Sequence, residues 1–350
     1  MDFAYGPERN HLFVPGSTNI PEHVIPITTL TKTLLDDVKK IFKTVYGISF
    51  LIPTTGIESA LTNTMSPGYR TISFLIGQFS LLWIEQQKRL NFKVDVVESE
   101  WGQGANLEAI CIVHNETTTG VTNNLTKYQH PALIIGDAVF SIGALDFRMD
   151  EWGVDVVVTS SQKALSLPTG MGIVCAGPKA IENGYLKCYN LGTYWPYTPS
   201  IPLLYGLRAA LDLIFEEGFE NVILRHKRLT KATRLAVEAW GLKNCCQQEE
   251  EWYSASVTAI IVPPNIDNGE IVSRAWKRYN LSLGGGLNKV AGKVFRIGHV
   301  GNLNELQLLG CLAGVEMILK EVGYLLKLGS GVAAASAYLL NNVPLIPSRI

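Results

Sequence analysis

The sequence predicts an α/β chain built on a mainly parallel central sheet, followed by a smaller α/β unit. Three observations carry that prediction. From Thr71 onward, short unbroken apolar runs alternate with amphipathic stretches of helical spacing. Each run ends in polar or glycine residues, the pattern of strands covered on both faces. Beyond Ser200 two helical patterns interrupt the alternation, which resumes from Leu242.

Taken in order, RTISFLI opens the strand series, an amphipathic stretch runs through Leu90, and FKVDVVES reads as the next strand. AICIVH, HPALIIGD and VDVVVTS complete the first set. Ile201 to Trp240 reads as two helices broken near Gly218. Then come the strand SVTAIIVPP, a helix near Ile271 to Arg278, and a turn at Gly284-Gly285-Gly286. The strand KVFRIG and a helix from Asn304 to Lys320 follow. The predicted division is a large domain over 20–240 and a small domain made of 241–350 together with the N-terminal segment 1–19.

Composition narrows the function classes. The 350 residues are 47% hydrophobic and 17% charged, with a net charge of -1. That is enough chain for two cores. The balanced charge offers no footprint for nucleic acid, and RHKRLTKATR, residues 225–234, reads as a solvated helix face. Six cysteines lie scattered without a CxxC pair, and no signal peptide is read at the start, so a reducing compartment is expected. No apolar run reaches the length of a membrane span. The ending Ser348-Arg349-Ile350 has the small–basic–aliphatic form of a peroxisomal address. Rival motifs fail on spacing. GGLNKVAGKV has five residues between Gly286 and Gly292 where a phosphate loop has four, and His114 and His299 lack metal-ligand spacing.

In open α/β sheets ligands bind beyond the carboxyl ends of the strands. Three such ends carry chemistry: His114-Asn115-Glu116, Asp137, and Ser160 to Lys163. Asp137 reads either as a cap for the next turn or as a carboxylate facing a cation that a ligand supplies. Lys163, 26 residues later, reads either as a snorkelling surface lysine or as a desolvated nucleophile able to form a Schiff base. A carboxylate beside a pyridinium nitrogen and a Schiff-base lysine are the two groups that pyridoxal phosphate requires of a protein.

GDAVFSIGALDFRMDEWGVDVVVTSSQKALSLPTG closely resembles the class V pyridoxal-phosphate-dependent aminotransferases, in particular plant members. The resemblance runs from HLFVPGSTNIPEHVI through IGQFSLLWIEQQKRLNF, HNETTTG and LGTYWPYTPS to KVFRIGHVGN and the final SRI. It implies the type I fold of pyridoxal-phosphate enzymes. The implied reaction is a photorespiratory transamination from serine or alanine to glyoxylate, in a peroxisomal homodimer with shared active sites. By position, it implies that Lys163 carries the cofactor and shuttles the proton, and that Asp137 keeps the ring nitrogen protonated. Thr117 is implied to bind the ring hydroxyl, and Phe79 to stack on the ring. Gln162, Thr55 and Gly56 are implied at the phosphate, with Trp195 and Thr198 reaching the phosphate of the neighbouring subunit. Arg296 is implied to clamp the substrate carboxylate, a task suited to the guanidinium fork.

The chain also departs from the family. Its phosphate turn, Thr54-Thr55-Gly56-Ile57-Glu58-Ser59-Ala60-Leu61, is three residues shorter than the family's TTGTGAWESAL. A tyrosine–arginine segment expected after HVIP is absent, and further segments are absent near Leu107, Asn124 and Asn183. Gly136-Asp137-Ala138 stands where Val-Asp-Gly is usual. Shortened helices are expected to bare apolar strand surface. The alternative function is therefore a diverged relative with impaired cofactor binding and no aminotransferase activity.

Overall fold

The computed structural model describes residues 27–46, 48–52, 56–102, 111–125, 131–182, 199–246 and 249–344. Thr55, Trp195, Thr198 and Ser348 to Ile350 lie outside the described residues.

Helix α1 (Ile27–Phe42) precedes β1 (Ile48–Ile52) and α2 (Gly56–Thr64). The alternating part comprises β2 (Arg70–Leu75), α3 (Gln78–Arg89), β3 (Lys93–Glu98) and β4 (Cys111–Val113). After a small hairpin of β5 (Asn115–Glu116) and β6 (Val121–Thr122) come β7 (Ile135–Asp137), α4 (Met149–Trp152), β8 (Val156–Ser160), β9 (Gly172–Ala176) and the short α5 (Pro178–Glu182). Seven of these strands form one sheet in the order β1-β9-β8-β7-β4-β2-β3. The five predicted strands run parallel, as β8–β7–β4–β2–β3. Two strands not predicted from sequence, β9 and β1, add to one side antiparallel.

The period-two alternation of side chains sorts each central strand between two cores. Val157, Ile173 and Cys175 face one side, against Leu34, Val38 and Ile41 of α1 and Leu204, Leu207 and Leu211 of α6 (Ile201–Glu217). Val156, Val158 and Val174 face the other, with Ala60 and Leu61 of α2 and Trp83 of α3. Gly56, the first residue of α2, is pressed so close that a Cβ would lie 2.3 Å from Val158 Cγ1. The edge strand β3 differs, for Val96 and Val97 are 41% and 43% exposed. The expectation that every strand is covered on both faces fails at this edge.

Helix α7 (Phe219–Ala239) is separated from α6 by Gly218, whose φ of 86° few side chains tolerate. Its first half packs with the large core through Val222. From Leu229 onward it packs with a second core. That second core covers a four-stranded antiparallel sheet in the order β10-β11-β13-β12, with β10 (Lys243–Asn244), β11 (Val257–Ile261), β12 (Gly284–Gly285) and β13 (Val294–Gly298). The glycines predicted as a turn thus supply a short strand instead, pairing Gly284 with Arg296. Helices α8 (Asn268–Tyr279), α9 (Glu305–Glu321) and α10 (Ser330–Asn342) complete this unit. Asn304 caps α9 through a reciprocal pair with Gln307, which sets its start where the sequence predicts it.

Candidate active site at the carboxyl edge of the sheet

Because β2, β4, β7 and β8 are parallel, the segments that follow them emerge on one edge. The register places Val113, Asp137 and Val158 level across β4, β7 and β8. Asp137, Glu116, Thr117, Phe79 and Lys163, dispersed over 85 residues of sequence, therefore belong to one rim.

Asp137 is 6% exposed. Its Oδ1 accepts the Val139 N–H at 2.9 Å, and its Oδ2 accepts the indole Nε1–H of Trp83 at 2.7 Å. Burial pushes its carboxyl above the ordinary aspartate value, while these two donors and the charge of Lys163 draw it back. Of the two readings that the sequence offers for Asp137, the cap to the following turn is present in the Val139 bond.

Lys163 is half-buried, with Nζ 4.0 Å from the ring centroid of Phe140. Among the described residues no carboxylate pairs with it. Burial first, and then the positive charge of Arg296, lower its ammonium below the ordinary lysine value, against the pull of Asp137. Lys163 is held by its loop, since its carbonyl accepts the Ser166 N–H at 2.9 Å. Phe79 stands near the same aromatic ring, 6.4 Å from Phe140 between centroids. Gln162 is half-buried beside the lysine in sequence.

The ETTTG hairpin supplies the third wall. Its turn closes with the Gly120 N–H donating to Glu116 O at 3.0 Å, and Gly120 takes a φ of 73°. Glu116 is fully buried. Its Oε2 accepts the Phe79 and Ser80 N–H groups at 3.1 and 3.2 Å, capping α3, and its Oε1 accepts Thr118 N–H at 3.0 Å. Gly77 permits this approach, because a Cβ there would fall 2.3 Å from the Glu116 carboxyl carbon.

Arg296, on β13, reaches the rim from the second unit. Its Nε donates to Gly285 O at 2.9 Å and its Nη1 to Thr117 O at 3.2 Å. Among the described residues no hydrogen bond engages its Nη2.

Four buried hydroxyls of these segments have no hydrogen-bond partner, Thr117 Oγ1, Thr118 Oγ1, Thr119 Oγ1 and Ser160 Oγ. Such groups are rare in interiors, and an added polar ligand would satisfy them. With the buried Asp137 carboxylate and the unpaired Lys163 amine, they fit the donors and acceptors that pyridoxal phosphate presents. Trp83 is the residue that sequence reasoning missed. Its only sequence signal was its position one helical turn after Phe79, shared by any buried helix residue.

A cavity of about 440 Å³ lies elsewhere, lined by His114, Trp152, Arg234 and Tyr253 among others, and by none of the residues assigned to the rim. The His114 ring packs on Phe147 and Trp152 and meets Ser141 Oγ at 2.6 Å. Phe147 and Trp152 belong to the core of the large sheet. Among the described residues no cluster of ligands suits a metal ion, and no helix is long and apolar enough to cross a membrane.

Comparison with known proteins agrees with this geometry. The pattern of the class-V aminotransferase family matches residues 78–273, which include Phe79, Glu116, Asp137 and Lys163. The chain is a class-V aminotransferase. A serine–glyoxylate aminotransferase of Arabidopsis thaliana is 68% identical to it over 402 aligned positions, with all of both chains covered. A second one, from Methylorubrum extorquens, is 47% identical over 96% of this chain and 97% of its own. Among solved structures, a ureidoglycine–glyoxylate aminotransferase from Bacillus subtilis superposes with a TM-score of 0.84 at 25% identity, covering 90% of each chain. An alignment of 402 positions over a chain of 350 leaves 52 without a residue of this class-V aminotransferase.

Proposed function

We propose that this aminotransferase carries out pyridoxal-phosphate-dependent transamination from serine or alanine to glyoxylate, giving glycine and hydroxypyruvate or pyruvate. The observation that carries this reading is the placement on one rim of a buried carboxylate, Asp137, and a half-buried lysine, Lys163, that pairs with no carboxylate among the described residues. All three relatives described above are named for glyoxylate as one substrate; two are named for serine as the other and the third for ureidoglycine. The shared name supports glyoxylate as acceptor, and the 68% identity supports serine as a donor.

When bound, pyridoxal phosphate supplies the carbonyl that receives the amino group and a ring that withdraws electrons from the substrate carbon. Asp137 holds a proton at the ring nitrogen, which its buried carboxylate attracts. Lys163 would hold the cofactor through Nζ, and that amine, lowered in basicity by burial, would serve as the base for the proton at the substrate Cα. Thr117 Oγ1 binds the ring hydroxyl, and Phe79 excludes water from the ring face. Gln162, Thr55 and Gly56 contribute to the phosphate site, joined by Trp195 and Thr198 of the second copy in a homodimer. Arg296 orients the substrate by its carboxylate through the free end of its guanidinium. The same reading places the enzyme in the peroxisome, addressed by Ser348-Arg349-Ile350, in photorespiratory metabolism.

The test is a visible absorbance spectrum with and without added pyridoxal phosphate. The expected protein is yellow, Lys163→Ala is not, serine bleaches the colour and glyoxylate restores it. A protein that stays colourless in excess cofactor overturns the proposal and favours the diverged, inactive alternative.

A further inference from the structure

The two oxygens of Asp137 are not held alike. Oδ1 is bound by a backbone N–H two residues away, a local turn that any aspartate here would make. Oδ2 is bound by Trp83, 54 residues distant in sequence and on a different element. Trp83 is 3% exposed, and an indole N–H in such surroundings needs an acceptor. A phenylalanine or leucine would fill apolar space beside Val113 and Val158 without that demand.

The indole is itself held in place. Trp83 follows Phe79 by four residues, so the two side chains leave α3 on one face. The start of α3 is clamped by Glu116, and the Trp83 carbonyl accepts Gln87 Nε2, which is in turn tied to Ser73 on β2. The donor that meets Asp137 therefore comes from a helix fixed at both ends of the relevant turn.

From this geometry we propose that Trp83 is a positioning residue for transamination, its indole N–H fixing the orientation of the Asp137 carboxylate toward the cofactor. An N–H donor favours the ionised acceptor over the protonated one, which is the form Asp137 needs in order to hold a proton on the ring nitrogen. Phe79 and Trp83 make α3 a single support for the ring, one residue at its face and the other behind its carboxylate. The proposal rests on the functional reading above.

Trp83→Phe keeps an aromatic ring and deletes the donor. Loss of a hydrogen bond to an ionised group predicts a fall in kcat of about tenfold to a hundredfold, with KM for serine changed less than about twofold. The absorbance band of the bound cofactor shifts, and the cofactor Kd of the cofactor-free protein rises. In an Asp137→Asn background the same substitution adds less than about a twofold effect, because the two residues act through one interaction. Unchanged kcat and band, or full additivity with Asp137→Asn, overturns the proposal. Should Trp83→Phe fail to fold, 3-benzothienylalanine at position 83 replaces the N–H by sulfur with the shape kept, and the same outcomes apply.

A second readout needs no cofactor. In the cofactor-free protein labelled with 15N-tryptophan, the Trp83 indole resonance lies downfield and moves in Asp137→Asn but not in Phe79→Leu. A resonance indifferent to Asp137→Asn refutes the hydrogen bond. If the unaltered protein forms no colour while this resonance behaves as expected, the functional reading fails and the contact stands. Should colour form while Trp83→Phe is silent, only the positioning role fails.

Discussion

Strands β8 and β3 belong to the same sheet and are both rich in valine, yet they live in different environments. All five residues of β8 are buried, whereas β3 is open to solvent along most of its length. β8 has a neighbour on each side and a core on each face; β3 pairs only with β2 and closes the sheet. The charges of β3 suit that position. Asp95 pairs with Arg70 on β2, and Glu98 with Lys289 of the second unit at 2.6 Å. Charged side chains on an edge strand discourage pairing with another molecule. The difference teaches that an apolar run announces a strand, while its place in the sheet determines what the run is worth.

Substitutions can break that comparison. The largest effect of a single substitution belongs to the centre: Val158→Ala removes two buried methyl groups between α2 and the sheet and costs about 2–3 kcal/mol by urea unfolding. A cost under 0.5 kcal/mol would mean that the α2 packing seen at Gly56 is absent.

Next comes acidification, which acts on the buried interior and spares the edge. Burial lowers the imidazoles of His114 and His299 to about 3 and that of His226 to about 4, so all three stay neutral in the folded chain. In the unfolded chain they gain protons below about pH 6.5. The unfolded state then binds more protons, and stability falls as pH drops from about 6.5 toward these folded values, by about 1.4 kcal/mol per pH unit for each histidine. Urea midpoints at pH 7.5 and 5.5 should differ accordingly, and equal midpoints would contradict the buried neutral histidines.

The smallest effect belongs to the edge. Val97→Thr is expected to change stability by less than about 0.5 kcal/mol, while reducing self-association measured by light scattering. If it costs as much as Val158→Ala, β3 is covered in solution and the contrast disappears.

Much of the rim was legible before folding. Asp137 and Lys163 stand out because each is an ionisable group at the end of an apolar run, an anomaly that local sequence displays. Arg296 stands out only through the family resemblance, since an arginine on an antiparallel strand has a plain surface reading. Trp83 could not be found, because its meaning lies in a contact between α3 and β7 that no local pattern encodes. Glu116 was visible as a strand-end polar residue, but its role as the cap of α3 depends on Gly77 admitting its carboxyl group.

By itself the sequence determined the five parallel strands in chain order, the broken helix at Gly218, and the ionisable residues that interrupt buried runs. These follow from local physics: side-chain periodicity, glycine conformation and the cost of an unpaired charge. Only the tertiary structure decided that β9 and β1 extend the sheet antiparallel and that β3 is its edge. It alone brought Trp83 to Asp137 and Arg296 to the Thr117 carbonyl. Those outcomes depend on strand order and on the meeting of two units, and the hydrophobic pattern that drives burial carries no address for the partner against which a residue is buried.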